Sequence, residues 1–505
     1  MMLGSKSLSG LTRSLSTGLA TVCLYCGATP PAPIAEMMHA AGLGSEHLGL
    51  VIWRLDEAAP RFVNQPVTPF APASTMKVVT TQVALDTLGP AWRARTEFFA
   101  TAPIVDGVLR GHLVLRAGGA PDFDRLSLQR LLEQVRHAGI AEIAGDIVVD
   151  RTHFSPSRID LGLAPFDEAP EFRYNVIPDA LLLNQHLVGI NVSTRTADIG
   201  MPALRASLLD PLENVLIETD EMTLADVPCN QWESVWQVPY VVRRGWTGDT
   251  DNAAQLVIRL RGGFPRDCAQ TLQLNVLDAA DHSDRMLRGI WHHLGGSLRG
   301  IVRERLLGES LTMSGKPLAS HLSRPLGEIV RDINKPSDNA VTRQLLMSLG
   351  EARTTDPTIA TERTSRARGG AVIRAWFRVH GIDDTGLTID NGSGLSRSER
   401  IQPMQLATLL RLAYRGKWAP EFLSSLPIVG LDGTMRTRLR QSAAHETARI
   451  KTGTLRDVAA VAGYVNDAQG RPYVLVGLFN HPTLGSRRMR PLADALIEWV
   501  ARQND

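Results

Sequence analysis

The chain has 505 residues, 44% of them hydrophobic and 21% charged, and its 54 Lys and Arg against 52 Asp and Glu leave a formal net charge of +2. Such a length exceeds one ordinary core and sets an expectation of roughly two to four domains. The near-balance of charge gives no argument for a nucleic-acid partner or for a polybasic membrane-binding surface.

Residues 1–28 read as an export signal: Lys6 and Arg13 precede the apolar run Leu15–Tyr25, and Cys26-Gly27-Ala28 offers small residues for cleavage. Lipidation at Cys26 is the alternative, although Tyr25 is a poor residue before a lipidated cysteine. No later segment holds the eighteen or so consecutive apolar residues of a membrane span. The mature chain is expected to be soluble or peripheral to a membrane.

After the signal, 48–56 and 61–65 read as short strands joined by a turn through Asp56–Pro60. A helix follows, with Val78, Val79, Val83, Ala84 and Leu88 on its apolar face. From 86 to 300 the character changes to strand-rich. The stretches 107–119, 145–150, 187–195 and 255–262 look like strands, and Leu128, Leu131, Leu132 and Val135 mark one amphipathic helix. Segment 350–370 is polar and arginine-rich and reads as a solvated loop or surface helix. At the C-terminus, 459–466 and 473–480 form a hairpin candidate across Asp467–Gly470, closed by a helix over 491–503. Both ends thus supply strands and a helix suited to one sheet-plus-helix unit. Residues 29–85 and 301–505 are expected to form one domain, interrupted by an insertion over 86–300 large enough for one or two more.

Cys23 and Cys26 leave with the signal. Cys229 and Cys268 remain, and in an exported chain they point to a disulfide, with two buried thiols as the alternative. Neither cysteine has a zinc-ligand pattern, and His292-His293 lacks the spacing of a metal site. No metal or cofactor is expected.

Ser74-Thr75-Met76-Lys77 opens the first long helix, and Ser-x-x-Lys alone means little, since serine is a favoured helix cap. Two further motifs follow in order: Ser337-Asp338-Asn339, and Lys451-Thr452-Gly453 with Thr454 behind it. This ordered trio is the signature of penicillin-recognising enzymes. The chemistry accounts for the residue types. A serine hydroxyl needs a neighbour to take its proton, and a lysine one helical turn later places an amine beside it. Lys77 can act as base if burial near Lys451 lowers its pKa. Ser337 would relay a proton to the leaving amine, Asn339 would bind Lys77 and the substrate amide, and Asp338 would point away to support its loop. Lys451 and Thr452 would hold a substrate carboxylate on an edge strand, with Gly453 allowing close approach. The backbone N–H groups of Ser74 and Thr454 would form an oxyanion hole, each donor worth about 3 kcal/mol in such sites.

On these motifs the chain resembles the class C low-molecular-mass penicillin-binding proteins, the penicillin-binding protein 4 type of D-alanyl-D-alanine carboxypeptidase and endopeptidase. The 263 positions from Ser74 to Ser337 match that group's large insertion, and 115–123, 145–154, 174–192 and 390–397 look similar too. "AGGAPDF" (117–123) departs from the family's usual run but touches no catalytic position. The resemblance implies an α/β (α+β) serine transpeptidase or β-lactamase-like domain, an antiparallel sheet flanked by helices, interrupted by an insertion of two nested domains. It further implies a periplasmic, cofactor-free serine D,D-peptidase acting on peptidoglycan peptides and acylated at Ser74 by β-lactam antibiotics.

Two alternatives use the same scaffold. A class A β-lactamase carries a glutamate four residues before an asparagine between the second and third motifs. None of Glu351, Glu362, Glu399, Glu421 and Glu446 has that neighbour. A non-enzymatic β-lactam or peptidoglycan sensor is the other, but sensors usually carry a membrane anchor beyond the domain. Ser393 in "DNGSGLSR" has no lysine or histidine one helical turn away and reads as a loop residue rather than a rival nucleophile. The acidic stretch 165–171 is a candidate for substrate contact, with a solvated loop as the plainer reading.

Overall fold

The computed structural model describes residues 30–163, 166–167, 169–194, 204–245, 254–313, 315–353 and 356–504. The expected export signal, Cys26 included, lies outside the described residues.

The apolar runs at the two ends of the chain meet in one antiparallel sheet, in the order Arg449–Leu455, Val458–Asn466, Pro472–Asn480, Leu48–Arg54, Phe62–Asn64. Val51 sits opposite Val476, so strands more than 400 positions apart share a register. Along Val458–Asn466 the side chains alternate between two cores. Val461 and Val465 pack with Ile34, Met38, Leu492 and Leu496 from the terminal helices. Ala460, Ala462 and Tyr464 face Val78, Val83 and Leu410 from the helices on the other side. With both faces covered, eight of the nine residues are buried, and the strand reads as continuous apolar sequence. Burying one large aliphatic side chain here contributes about 1.5–3 kcal/mol.

The helix Met76–Leu88 lies inside that second core, with ten of its thirteen residues buried, Lys77 among them. Helix Asn339–Gly350 packs beside it and crosses Ser365–Val379 at very short range. A Cβ on Gly350 would fall 2.0 Å from Ser365 O, and one on Gly369 2.0 Å from Leu346 O, so only glycine admits the contact. The polar, arginine-rich look of 350–370 conceals this: Ser365, Gly369 and Gly370 are buried.

Between these elements lies the insertion. A five-stranded sheet runs Val302–Glu304, Ile147–Asp150, Leu113–Arg116, Arg95–Ala100, Ala319–Leu322, with a smaller four-stranded sheet beside it. Two three-stranded sheets follow, one from Val188–Ser193, Arg205–Leu208 and Ala269–Leu274, the other from Val215–Ala225, Trp236–Arg244 and Gln255–Pro265. One apolar core runs through all of them, from Phe98 to Trp291. The expected strand over 107–119 is two strands in different sheets, Val108–Leu109 and Leu113–Arg116. Gly111 stands between them, close against Ala102. The strands that pair within the insertion also continue past the expected boundary at 300. Ala319–Leu322 pairs with Arg95–Ala100 and Val302–Glu304 with Ile147–Asp150. Short strands of three or four residues leave no periodicity in the sequence by which to place them.

Cys229 and Cys268 are bonded, with Cα atoms 5.3 Å apart, and tie the turn before Trp236–Arg244 to the turn before Ala269–Leu274. The bond closes a loop with a sequence separation of 39, which the chain-entropy account values at about 4 kcal/mol. A Cys229→Ser, Cys268→Ser double variant is expected to unfold at lower denaturant concentration than the oxidised protein. A coincident transition for the two would show that the bond adds nothing to stability.

Candidate active site

Ser74 sits in a single 3₁₀ turn, Ala73–Thr75, that leads into the helix carrying Lys77. Ala73 holds a left-handed φ of 45°, unusual for a residue with a side chain, and turns the backbone so that Ser74 is half-buried at a cavity wall. The Ser74 hydroxyl does not cap the helix. Its Oγ lies 3.0 Å from Lys77 Nζ.

Lys77 is fully buried, and its amine has three oxygen neighbours: Ser74 Oγ at 3.0 Å, Asn339 Oδ1 at 2.6 Å and the Ser393 carbonyl at 2.5 Å. Two of these can only accept. In the neutral amine both N–H groups are therefore taken by Asn339 and Ser393, and the lone pair is left facing the Ser74 hydroxyl. Burial pushes the Lys77 pKa down to about 7, with Asp338 and Glu399 pulling it upward and Arg343 pulling it down. Burial, as expected from the sequence, is the main cause; Lys451, also invoked there, is not among the charges shifting Lys77.

Ser337 has a left-handed φ of 66° and begins a loop that ends in helix Asn339–Gly350. Its Oγ accepts from Lys451 Nζ at 2.8 Å. Asp338 turns away from the cavity. One oxygen caps the helix at Val341 N, 2.9 Å, and the other pairs with Arg173 at 2.7 Å. Asn339 is thereby fixed at the first helical position, donating through Nδ2 to the Tyr174 carbonyl at 3.0 Å.

Lys451, Thr452, Gly453 and Thr454 lie on the sheet's edge strand, beside the Ser74 turn. A Cβ on Gly453 would stand 2.7 Å from Pro72 O and 3.0 Å from Ser74 N, so glycine is required for the strand to pass this close. Lys451 is fully buried, and burial with the like charge of Lys77 holds its pKa well below the usual lysine range. Thr452 Oγ1 donates to Thr434 Oγ1 at 2.8 Å. Ser74, Ser337, Asn339 and Thr454 line one cavity of about 620 Å³, together with Phe166, Asp167 and Arg397.

The three motifs therefore converge on one point from a helix, a loop and an edge strand. The arrangement can deprotonate a hydroxyl, bind an anion beside it and accept an extended peptide along the strand. Of the acidic stretch 165–171, Phe166 and Asp167 reach the cavity, whereas Pro165 and Glu168 fall outside the described residues. Ser393 is buried with its Oγ 2.8 Å from Asn391 Oδ1, so its hydroxyl is no nucleophile. Its backbone carbonyl is what touches Lys77, a contribution no side-chain motif announces. The Tyr174 carbonyl and Thr434 are likewise silent in the sequence. His292, away from the cavity, has Nδ1 2.8 Å from Glu213. None of the described helices is long and apolar enough to cross a membrane.

The sequence profile of the D-Ala-D-Ala carboxypeptidase 3 (S13) family matches residues 32–503. The chain is 25% identical over 437 residues to the D-alanyl-D-alanine carboxypeptidase DacB of Haemophilus influenzae, covering 85% of this chain and 84% of that protein. It is 28% identical over 419 residues to a D-alanyl-D-alanine carboxypeptidase of Actinomadura sp., covering 79% and 71% respectively. Among solved structures, penicillin binding protein 4 (dacB) from Haemophilus influenzae superposes with a TM-score of 0.74 at 21% identity, over 93% of this chain and 99% of that one. The fold over 93% of this chain is shared with that protein.

Proposed function

Because the chain belongs to the D-Ala-D-Ala carboxypeptidase 3 (S13) family, we propose that it is a serine D,D-peptidase of peptidoglycan stem peptides that works through a Ser74 acyl-enzyme. The observation that carries the reading is the Lys77 amine. Its two N–H bonds go to Asn339 and Ser393, and its lone pair faces Ser74 Oγ at 3.0 Å.

In this reading the peptide lies antiparallel along Lys451–Leu455, with its terminal carboxylate at Lys451 and Thr452. Carboxylate binding favours the charged form of Lys451, which burial otherwise opposes. Lys77 takes the proton of Ser74 as Oγ attacks the carbonyl of the penultimate D-alanine. The oxyanion forms between the Ser74 and Thr454 N–H groups. Ser337, hydrogen-bonded to Lys451, gives its proton to the departing amine as the C–N bond breaks, and the proton that Lys77 took from Ser74 replaces it, so Lys77 is neutral again for the water step. Water then attacks the ester and restores the serine. A β-lactam offers the same carbonyl and carboxylate, but its leaving amine stays tethered to the acyl group. Support for a β-lactam partner comes from a related structure, the Haemophilus influenzae protein complexed with a novel β-lactam, at 19% identity and a TM-score of 0.69. The terminal D-alanine and a D,D-crosslink share the bond cut and differ in what leaves, so both reactions belong to this site. The expected leader over 1–28 supports action in the periplasm.

The test is release of free D-alanine from a pentapeptide ending in D-Ala-D-Ala, with intact-mass measurement of a benzylpenicillin adduct. A stable adduct together with released D-alanine is expected. Rapid penicillin turnover without an adduct would replace the reading with a β-lactamase; an adduct without released D-alanine would point to an endopeptidase or a sensor.

A further inference from the structure

Glu399 is fully buried, yet among the described residues no Lys or Arg side chain lies within ion-pair distance of it. Its oxygens are filled by backbone instead. Oε1 accepts from the N–H groups of Asp390 at 3.2 Å, Asn391 at 3.0 Å and Gly392 at 2.6 Å, and Oε2 from Gly394 at 2.7 Å. Burial pushes the Glu399 pKa upward, and the backbone N–H groups, all donors with no acceptor among them, act against it by favouring the ionised carboxylate.

Between Asp390 and Gly394 the N–H that Glu399 does not take is that of Ser393, which donates to Asn391 Oδ1 at 3.0 Å. With its neighbours pinned on either side, the Ser393 carbonyl faces the opposite way, onto Lys77 Nζ at 2.5 Å. The Gly392 carbonyl accepts from Thr80 Oγ1 at 2.7 Å, so the loop grips the Lys77 helix at two positions one turn apart. Gly392 and Gly394 have φ of 70° and 81°, and a Cβ on Gly394 would fall 1.7 Å from Ala73 O. The loop lies directly on the Ser74 turn.

We propose that Glu399 is a positioning residue for acyl transfer: it fixes the Ser393 carbonyl against the Lys77 amine and so keeps the amine's lone pair on Ser74. This rests on the reading of Lys77 as the base. The charged groups facing Lys77 are Asp338, which caps the neighbouring helix, Arg343 on that helix, Lys451 on the edge strand and Glu399 beneath the loop. Asp338 is committed to Arg173. Glu399 makes no ion pair among the described residues, shares its field with Arg343, and its charge favours the protonated form of Lys77.

The experiment follows acylation by a chromogenic β-lactam from pH 5 to 9 for wild type, Glu399→Gln, Glu399→Asp and Lys77→Ala, with a thermal melt of each. In Glu399→Gln an amide NH₂ replaces one acceptor and the charge is lost. The plateau rate is expected to fall about tenfold or more, from the displaced carbonyl, and the acid limb to move to lower pH. Glu399→Asp keeps the charge on a shorter arm, so its plateau should fall while its acid limb stays in place. If Glu399→Gln does not fold, the Asp variant decides alone, and a full wild-type plateau there overturns the proposal. A Glu399→Gln protein that melts earlier but keeps the wild-type plateau and limb also overturns it. Lys77→Ala separates the two ideas. Retained acylation there defeats the base assignment; lost acylation there, with Glu399→Gln unchanged, defeats only the role of Glu399.

Discussion

A Ser74→Ala protein is expected to gain no mass when incubated with benzylpenicillin, and to release D-alanine from a pentapeptide at least about 10⁴-fold more slowly than wild type. The whole of the proposed route passes through a covalent bond to Ser74 Oγ. The remaining groups, an oxyanion hole and a carboxylate cradle, can lower the barrier for water only modestly once the nucleophile is gone. Folding should be untouched. Ser74 is half-buried, its hydroxyl caps no helix, and among the described residues its side chain has one hydrogen-bond partner, the Lys77 amine at 3.0 Å. Alanine in a helical turn carries no propensity cost, so the melting transition should stay within about 1 kcal/mol of wild type. A variant that still takes up penicillin stoichiometrically would remove Ser74 as the nucleophile, and with it the base assignment that depends on its distance from Lys77.

The site was legible in the sequence to the extent that it is built from side chains at fixed local spacing. Ser74 and Lys77 are one helical turn apart, Ser337 and Asn339 flank a residue that must turn outward, and Lys451–Thr454 alternates along a strand. Such patterns survive in one dimension. The Ser393 carbonyl, the Tyr174 carbonyl and the Glu399 carboxylate do not, because a backbone acceptor has no residue identity and Glu399 acts through four N–H groups. In the sequence Glu399 registered only as a glutamate without the asparagine a deacylating residue would have. The fold divides the same way. Long strands such as Pro472–Asn480 are marked by an unbroken apolar run, and helices with a full face by their period. The three-residue Val302–Glu304 and the four-residue Ala319–Leu322 are held in place by partners over 150 positions away, a tertiary decision that leaves no local trace.

Lys77→Ala is expected to lower acylation by about 10²–10⁴-fold, the span ascribed to a positioned base acting on a poor nucleophile. The wild-type profile should identify the group. The base is competent only when neutral, and burial brings its pKa to about 7. Below that value each unit of pH should therefore cost wild type about tenfold in rate, and above it the rate should level off. In Lys77→Ala this limb should vanish, leaving a slow, flat profile. Lys77→Arg completes the argument, because a guanidinium keeps its proton throughout the accessible range and has no lone pair to offer. It would retain charge and bulk beside Asn339 and Ser393 yet acylate no faster than the alanine variant. If arginine instead restored the rate, the positive charge itself would be the contribution of Lys77. The proton of Ser74 would then have to leave by another route, for which Ser337, joined to Lys451 at 2.8 Å, is the neighbouring hydroxyl.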